Sequence, residues 1–147
     1  MLAFGVLHIH ILEQGEVMDN TLYTELIEDK FEEWCYDCEY LVCDFERCLR
    51  SEEALMALEP VGVKLVEGYP PCSQDFNAIE NAWDLLRRRL DETLPRAWED
   101  RESFIRRLQE AVVWVNRHRK NRLEELSRNQ KVRCLECEKL EGSRTSW

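Results

Sequence analysis

Glu80 stands near the start of a strongly amphipathic stretch, one position off its apolar stripe. In the first turn of a helix, free backbone amides and the helix dipole favour an ionised carboxylate. A carboxylate held ionised at the edge of a core is a good ligand for a hard cation. Asp44 lies near the end of a short apolar segment, Glu39 to Phe45 (EYLVCDF), that reads as a buried strand. Sites in open α/β sheets gather at strand ends. His8 and His10 alternate, so on a strand they share one face, as metal ligands or as solvent-facing residues. Cys35/Cys38 and Cys134/Cys137 are two Cys-x-x-Cys pairs that together could make a Cys₄ zinc site. Against zinc, 95 residues separate the pairs and neither contains a knuckle glycine or proline, so ordinary thiols are expected. Arg87, Arg88 and Arg89, and then Arg117, Arg119, Lys120 and Arg122, form two basic runs. Both readings stand for them: cations that complement helix C-termini, or contacts to phosphates.

The elements that must position these groups follow from periodicity. Tyr69-Pro70-Pro71 fixes an extended start, because proline excludes helix at and before itself. Asp75 and Asn77 are N-capping types, and Ile79, Trp83, Leu86 and Leu90 then lie on one helical face. Upstream, Leu2 to Leu12 reads as one or two strands, and Thr21 to Trp34 as a helix capped by Asn20 or Thr21. Its apolar face is Leu22, Leu26, Ile27, Phe31 and Trp34. Ser51 to Leu58 is a short helix with Ala54, Leu55 and Leu58 inward, and Val61, Val63 and Leu65 alternate as a strand. After a break at Asp91 to Ala97, a long helix runs from about Asp100 to Arg119. Its stripe is Phe104, Ile105, Leu108, Ala111, Val112 and Val115, and Leu123 to Leu140 forms another helix or a helix pair.

The 147 residues suit one domain. The net charge of −10 argues against a simple nucleic-acid binder, yet the charge is uneven. Residues 1–60 carry 15 acidic and 3 basic side chains, whereas residues 101–133 carry 10 basic and 4 acidic. An acidic N-terminal half and a basic C-terminal face are therefore expected. No run reaches the ~18 apolar residues of a membrane span. Met1 to Leu12 lacks the basic start of a secretory signal. Seven scattered cysteines suit a reducing, intracellular compartment.

The stretch Tyr69-Pro70-Pro71-Cys72-Ser73-Gln74-Asp75-Phe76-Asn77-Ala78-Ile79-Glu80-Asn81-Ala82-Trp83 resembles the third-acid motif of Tc/mariner-type DDE transposases. That motif is a proline-rich turn, then Ser-Pro-Asp-Leu-Asn-Pro-Ile-Glu-Asn and a tryptophan. Ser73, Asp75, Asn77, Ile79, Glu80, Asn81 and Trp83 match, while Gln74, Phe76 and Ala78 depart from it. The resemblance makes Glu80 the third catalytic acid. It makes Asp44, 36 positions earlier at a strand end, the second. Phe45 and Leu49 stand where the family usually has Asn and His.

The resemblance implies an α/β, ribonuclease H-like fold, incomplete because the first strand has no counterpart, with a helical C-terminal half. The whole chain, 1–147, is then one partial catalytic domain, with a strand-and-helix part over 1–68 and the motif and C-terminal helices over 69–147. Such DDE endonucleases cut and join DNA, in the transposition and integration of transposable elements, with two divalent metals held by carboxylates. Asp44 and Glu80 are the implied ligands of Mg²⁺ or Mn²⁺. The first catalytic acid has no counterpart, and Asp19, between a turn and a helix cap, does not fit that role. The expectation is thus a transposase-derived endonuclease domain, inactive as this chain. The alternative is a non-catalytic nucleic-acid- or protein-binding module on the same remnant. DNA in the nucleus is the implied partner, a homo-oligomer is possible, and no membrane is expected.

Overall fold

The structure, a computed structural model, describes residues 1–3, 5–36, 38–43, 47–66, 77–95 and 97–141, without the side chains of 130, 131 and 134. It is mixed α/β, about 63% helical with two small sheets, so helices rather than a sheet carry most of the core. The chain divides into two compact units, Leu12–Ser73 and a second made of Met1–Ile11 with Gln74–Trp147.

In the unit that spans Leu12–Ser73, α1 (Asn20–Leu26) runs on through a π-helical turn, Ile27–Phe31, into α2 (Glu32–Trp34). The cap is Asp19, not Asn20 or Thr21: its Oδ1 accepts the Leu22 N–H at 2.9 Å. The buried face is Tyr23, Ile27, Phe31 and Cys35. Residues four apart drift around an α-helix of 3.6 residues per turn. The wider π turn offsets that drift and keeps one seam inward. This is why Leu22 and Leu26, expected on the core face, are only half-buried. The Tyr23 and Phe31 rings meet edge to face, with centroids 6.1 Å apart.

Strand β3 (Tyr40–Leu41) pairs in parallel with β4 (Lys64–Leu65), with Tyr40 opposite Lys64 and Leu41 opposite Leu65. Between them lies α3 (Glu52–Val61), so the order is β-α-β. Ser51 Oγ caps α3 by accepting the Ala54 N–H at 3.2 Å. Gly62, at φ 77°, ends it in the left-handed conformation. Two expectations are corrected here. Val61 ends the helix instead of opening the strand, and Leu55 is exposed while Ala57 takes its place beside Ala54 and Leu58. A helix that runs on to Val61 turns position 57 inward and position 55 out.

The second unit is built on four helices: α4 (Ala78–Glu92), α5 (Arg101–His118), α6 (Lys120–Arg128) and α7 (Gln130–Lys139). Its core joins Leu7, Ala82, Leu86, Ala111, Val112, Val115 and Leu123. Leu86 of the expected α4 stripe is buried to 1% exposure, while Ile79, Trp83 and Leu90 pack against the core from its edge. Ala82, which the stripe omitted, is the other buried α4 residue. On α5, Phe104 faces solvent.

A hairpin of β1 (Leu2–Ala3) and β2 (Val6–Leu7) is added to these helices by side chains in place of a further strand. Asn116 Oδ1 accepts the Leu7 N–H at 2.8 Å, and its Nδ2 donates to the Leu7 carbonyl at 3.0 Å. One α5 amide thus satisfies both backbone groups that a neighbouring strand would have paired. Gly5, at φ 78°, donates its N–H to Ser127 Oγ at 3.0 Å. Of the one or two strands expected over Leu2 to Leu12, the structure has two short ones, and His8 and His10 lie beyond them.

Candidate nucleic-acid interface and the Glu80 helix

The second half of the transposase-like motif is built as a capped helix start. Asn77 is buried, with extended backbone, and its Oδ1 accepts the Ile79 N–H at 3.4 Å. Glu80 follows in the first turn of α4, half-buried, where the dipole favours its charge. Asn81, the next motif residue, accepts a hydrogen bond from Arg133 Nη2 of α7 at 2.8 Å. Arg133 is fully buried. The two motif asparagines therefore frame Glu80: one starts its helix, the other ties that helix to α7. Residues 67–76, with Ser73 and Asp75, lie outside the described residues, as does Asp44, so its expected approach to Glu80 is outside them as well. Among the described residues no three histidine, cysteine or carboxylate side chains are gathered as metal ligands. The two Cys-x-x-Cys pairs belong to different units, and Cys35, Cys38, Cys43, Cys48 and Cys137 are not joined in disulfides.

The basic residues divide into two groups. Arg87 pairs with Asp84 at 3.2 Å, Arg89 with Glu92 at 3.1 Å, Lys120 with Glu124 at 3.9 Å and Arg122 with Glu125 at 2.7 Å. These are neighbours along one helix, the bland reading of such charges. Arg88, Arg117 and Arg119 form no ion pair among the described residues, and neither does Arg106. Arg117 also lies in the last turn of α5, where a cation meets the negative end of the dipole.

Trp114 is the centre of this surface. The Arg89 guanidinium lies 4.5 Å from its ring centroid, and Arg119 lies 5.4 Å away. The His118 ring stacks on it at 4.7 Å with 19° between planes. His118 is held by a 2.9 Å hydrogen bond between Nδ1 and the Trp114 carbonyl. Around them α4 and α5 line an open cavity of about 470 Å³, with Arg89, Arg106, Gln109, Glu110, Val113, Trp114, Arg117 and His118 in its wall. Sequence reasoning did not single out Trp114, His118 and Arg106 for this candidate surface. The available signal was the i, i+4 spacing of Trp114 and His118 inside a basic run.

A separate clamp fixes the α4–α5 connection. Arg107 reaches Glu99 through Nη2 at 2.6 Å and Nε at 2.9 Å, and donates from Nη1 to the Leu90 carbonyl at 3.1 Å. The hydrogen bond from Arg107 holds the Glu99 carboxyl below its ordinary range, and Arg107 rises in turn. Asp100 is also lowered, first by the Ser103 N–H that it accepts as the α5 cap at 2.8 Å. In the other unit, burial and then Cys38 push the Cys35 thiol up to about 12. Burial raises the Tyr23 phenol as well, with Cys43, Cys48 and Cys35 acting in the same direction.

Comparison of the chain with protein-family models, with curated proteins and with solved structures finds no match in any of the three. No helix among the described residues is long and apolar enough to cross a membrane.

Proposed function

We propose that this chain is a remnant of a Tc/mariner-type DDE transposase domain, of ribonuclease H-like descent, that binds DNA without cutting it. The observation that carries the reading is a set of guanidiniums, on Arg88, Arg106, Arg117 and Arg119, that form no direct ion pair among the described residues of a chain of net charge −10, although Arg106 acts at longer range on Glu99 and Asp100. Internal ion pairing leaves these four available for phosphate oxygens, which a guanidinium grips in a bidentate fork. The capped α4 start supports the ancestry, because it presents Glu80 as the motif requires. By lineage Asp44 and Glu80 would hold Mg²⁺ or Mn²⁺, whose role is to activate the nucleophile and stabilise the leaving oxygen. No residue is assigned as the first catalytic acid, so the reading is of a binding module whose partner is DNA and whose location is the nucleus.

The test is a strand-cleavage assay on a linear duplex with Mg²⁺ or Mn²⁺, run beside a gel-shift of the same duplex. A shift without nicking is expected. Nicking by the wild-type chain that disappears in Glu80→Ala would overturn the non-catalytic reading and show that another residue completes the site.

A further inference from the structure

We propose that the open cavity between α4 and α5 takes single-stranded nucleic acid, with a base stacked on the His118 ring, which itself rests on Trp114, and the flanking phosphates on Arg106, Arg117 and Arg119. The inference rests on the DNA-binding reading and narrows it to one form of the ligand. The floor of the cavity is apolar and aromatic: Val113 is 67% exposed, and Trp114 lies beside it with the His118 ring stacked on its own. A duplex presents phosphates and sugars to such a surface and keeps its base faces stacked inside. An unpaired strand offers a π-face, and stacking on an aromatic platform is worth ~1–3 kcal/mol per base.

The charges are arranged to match. Arg106 and Arg117 are separated by 11 positions on α5, or ~16 Å along the helix. They stand on either side of Trp114 in sequence and both line the cavity. Arg119 lies against the indole without a carboxylate partner among the described residues. Gln109 and Glu110 share the wall. A carboxylate there interrupts a continuous phosphate track, but it can accept a hydrogen bond from a base amino group. His118 is exposed and anchored by its Nδ1, so the ring is held in place for stacking.

The experiment uses the intact chain and fluorescence anisotropy with a labelled oligothymidine strand, a duplex of equal length, and polyglutamate as competitor. The oligothymidine is expected to bind at least about 10-fold tighter than the duplex, since 1.4 kcal/mol of stacking is a factor of ten. His118→Ala, a surface change checked for intact helicity, should weaken oligothymidine binding several-fold more than it weakens duplex binding. Arg117→Gln should weaken both. Equal or tighter duplex binding, with His118→Ala without effect, would overturn this inference and leave the DNA-binding reading standing. Displacement of the strand by polyglutamate, an anion without a base, as effectively per charge as by unlabelled oligothymidine would also overturn it. Binding to neither nucleic acid would defeat both.

Discussion

Replacing Asn81 by alanine removes one acceptor of a fully buried guanidinium, and the cost of that bond can be worked from the structure. Arg133 has no exposed surface, and its Nη2 donates to Asn81 Oδ1 at 2.8 Å. A hydrogen bond to a charged group contributes ~1.5–3 kcal/mol, and water cannot replace the acceptor at a buried site. Asn81→Ala should therefore destabilise the unit by about 2 kcal/mol, roughly 30-fold in its folding equilibrium. Arg133→Met alone should cost less, because it removes the buried charge as well as the bond. The double variant Asn81→Leu, Arg133→Met should lie within ~1 kcal/mol of wild type, since a buried polar pair can be exchanged for apolar packing at little cost. Urea unfolding followed by circular dichroism gives all three values, and the double-mutant cycle isolates the coupling. A coupling below ~0.5 kcal/mol would refute the claim that the motif asparagine anchors α4 to α7.

Four further outcomes follow from the packing. Leu86→Ala should cost ~3 kcal/mol, as for a fully buried leucine, while Leu55→Ala on the exposed side of α3 should cost under ~1, both read by urea unfolding. Gly5→Ala should cost ~2 kcal/mol or more, because φ is 78° and the new Cβ would sit 2.8 Å from the Glu124 backbone nitrogen; the same unfolding curve checks it. Cys35, held at about 12, should alkylate far more slowly at pH 8 in the folded chain than in urea, read by mass spectrometry. Its raised value also sets a pH dependence. The unfolded thiol loses its proton near the ordinary value, so the stabilisation is fully present below that value and is lost as pH rises through about 12. Denaturant midpoints should fall over that window, and less so in Cys35→Ala.

The helices were legible where local rules decide them. Asn77 and Asp100 cap as their residue types require, and Leu86, Ala111, Val112 and Val115 are buried on the stripes that their spacing predicts. The misses have tertiary causes. The π turn at Ile27–Phe31 re-aims the α1 face, and no i, i+4 rule anticipates an inserted residue. The Asn116 amide and the Arg133–Asn81 bond join positions separated by 109 and 52 in sequence, beyond any periodicity. At the candidate interface, composition located the basic runs. It could not separate Arg87 and Arg122, which pair within their own helices, from Arg117 and Arg119, which do not. That distinction depends on which carboxylate lies one turn away and on how side chains point.

The measurement that bears most directly on the DNA-binding claim is the salt dependence of duplex binding by the intact chain, beside an Arg117→Gln, Arg119→Gln variant. Each phosphate neutralised contributes about −0.9 to the slope of log K against log salt, so the four cations without carboxylate partners set a wild-type slope of about −3 to −4. The variant should lose about 2 of that slope and bind more weakly. A wild-type slope near zero, or one that the double substitution leaves unchanged, would contradict the account.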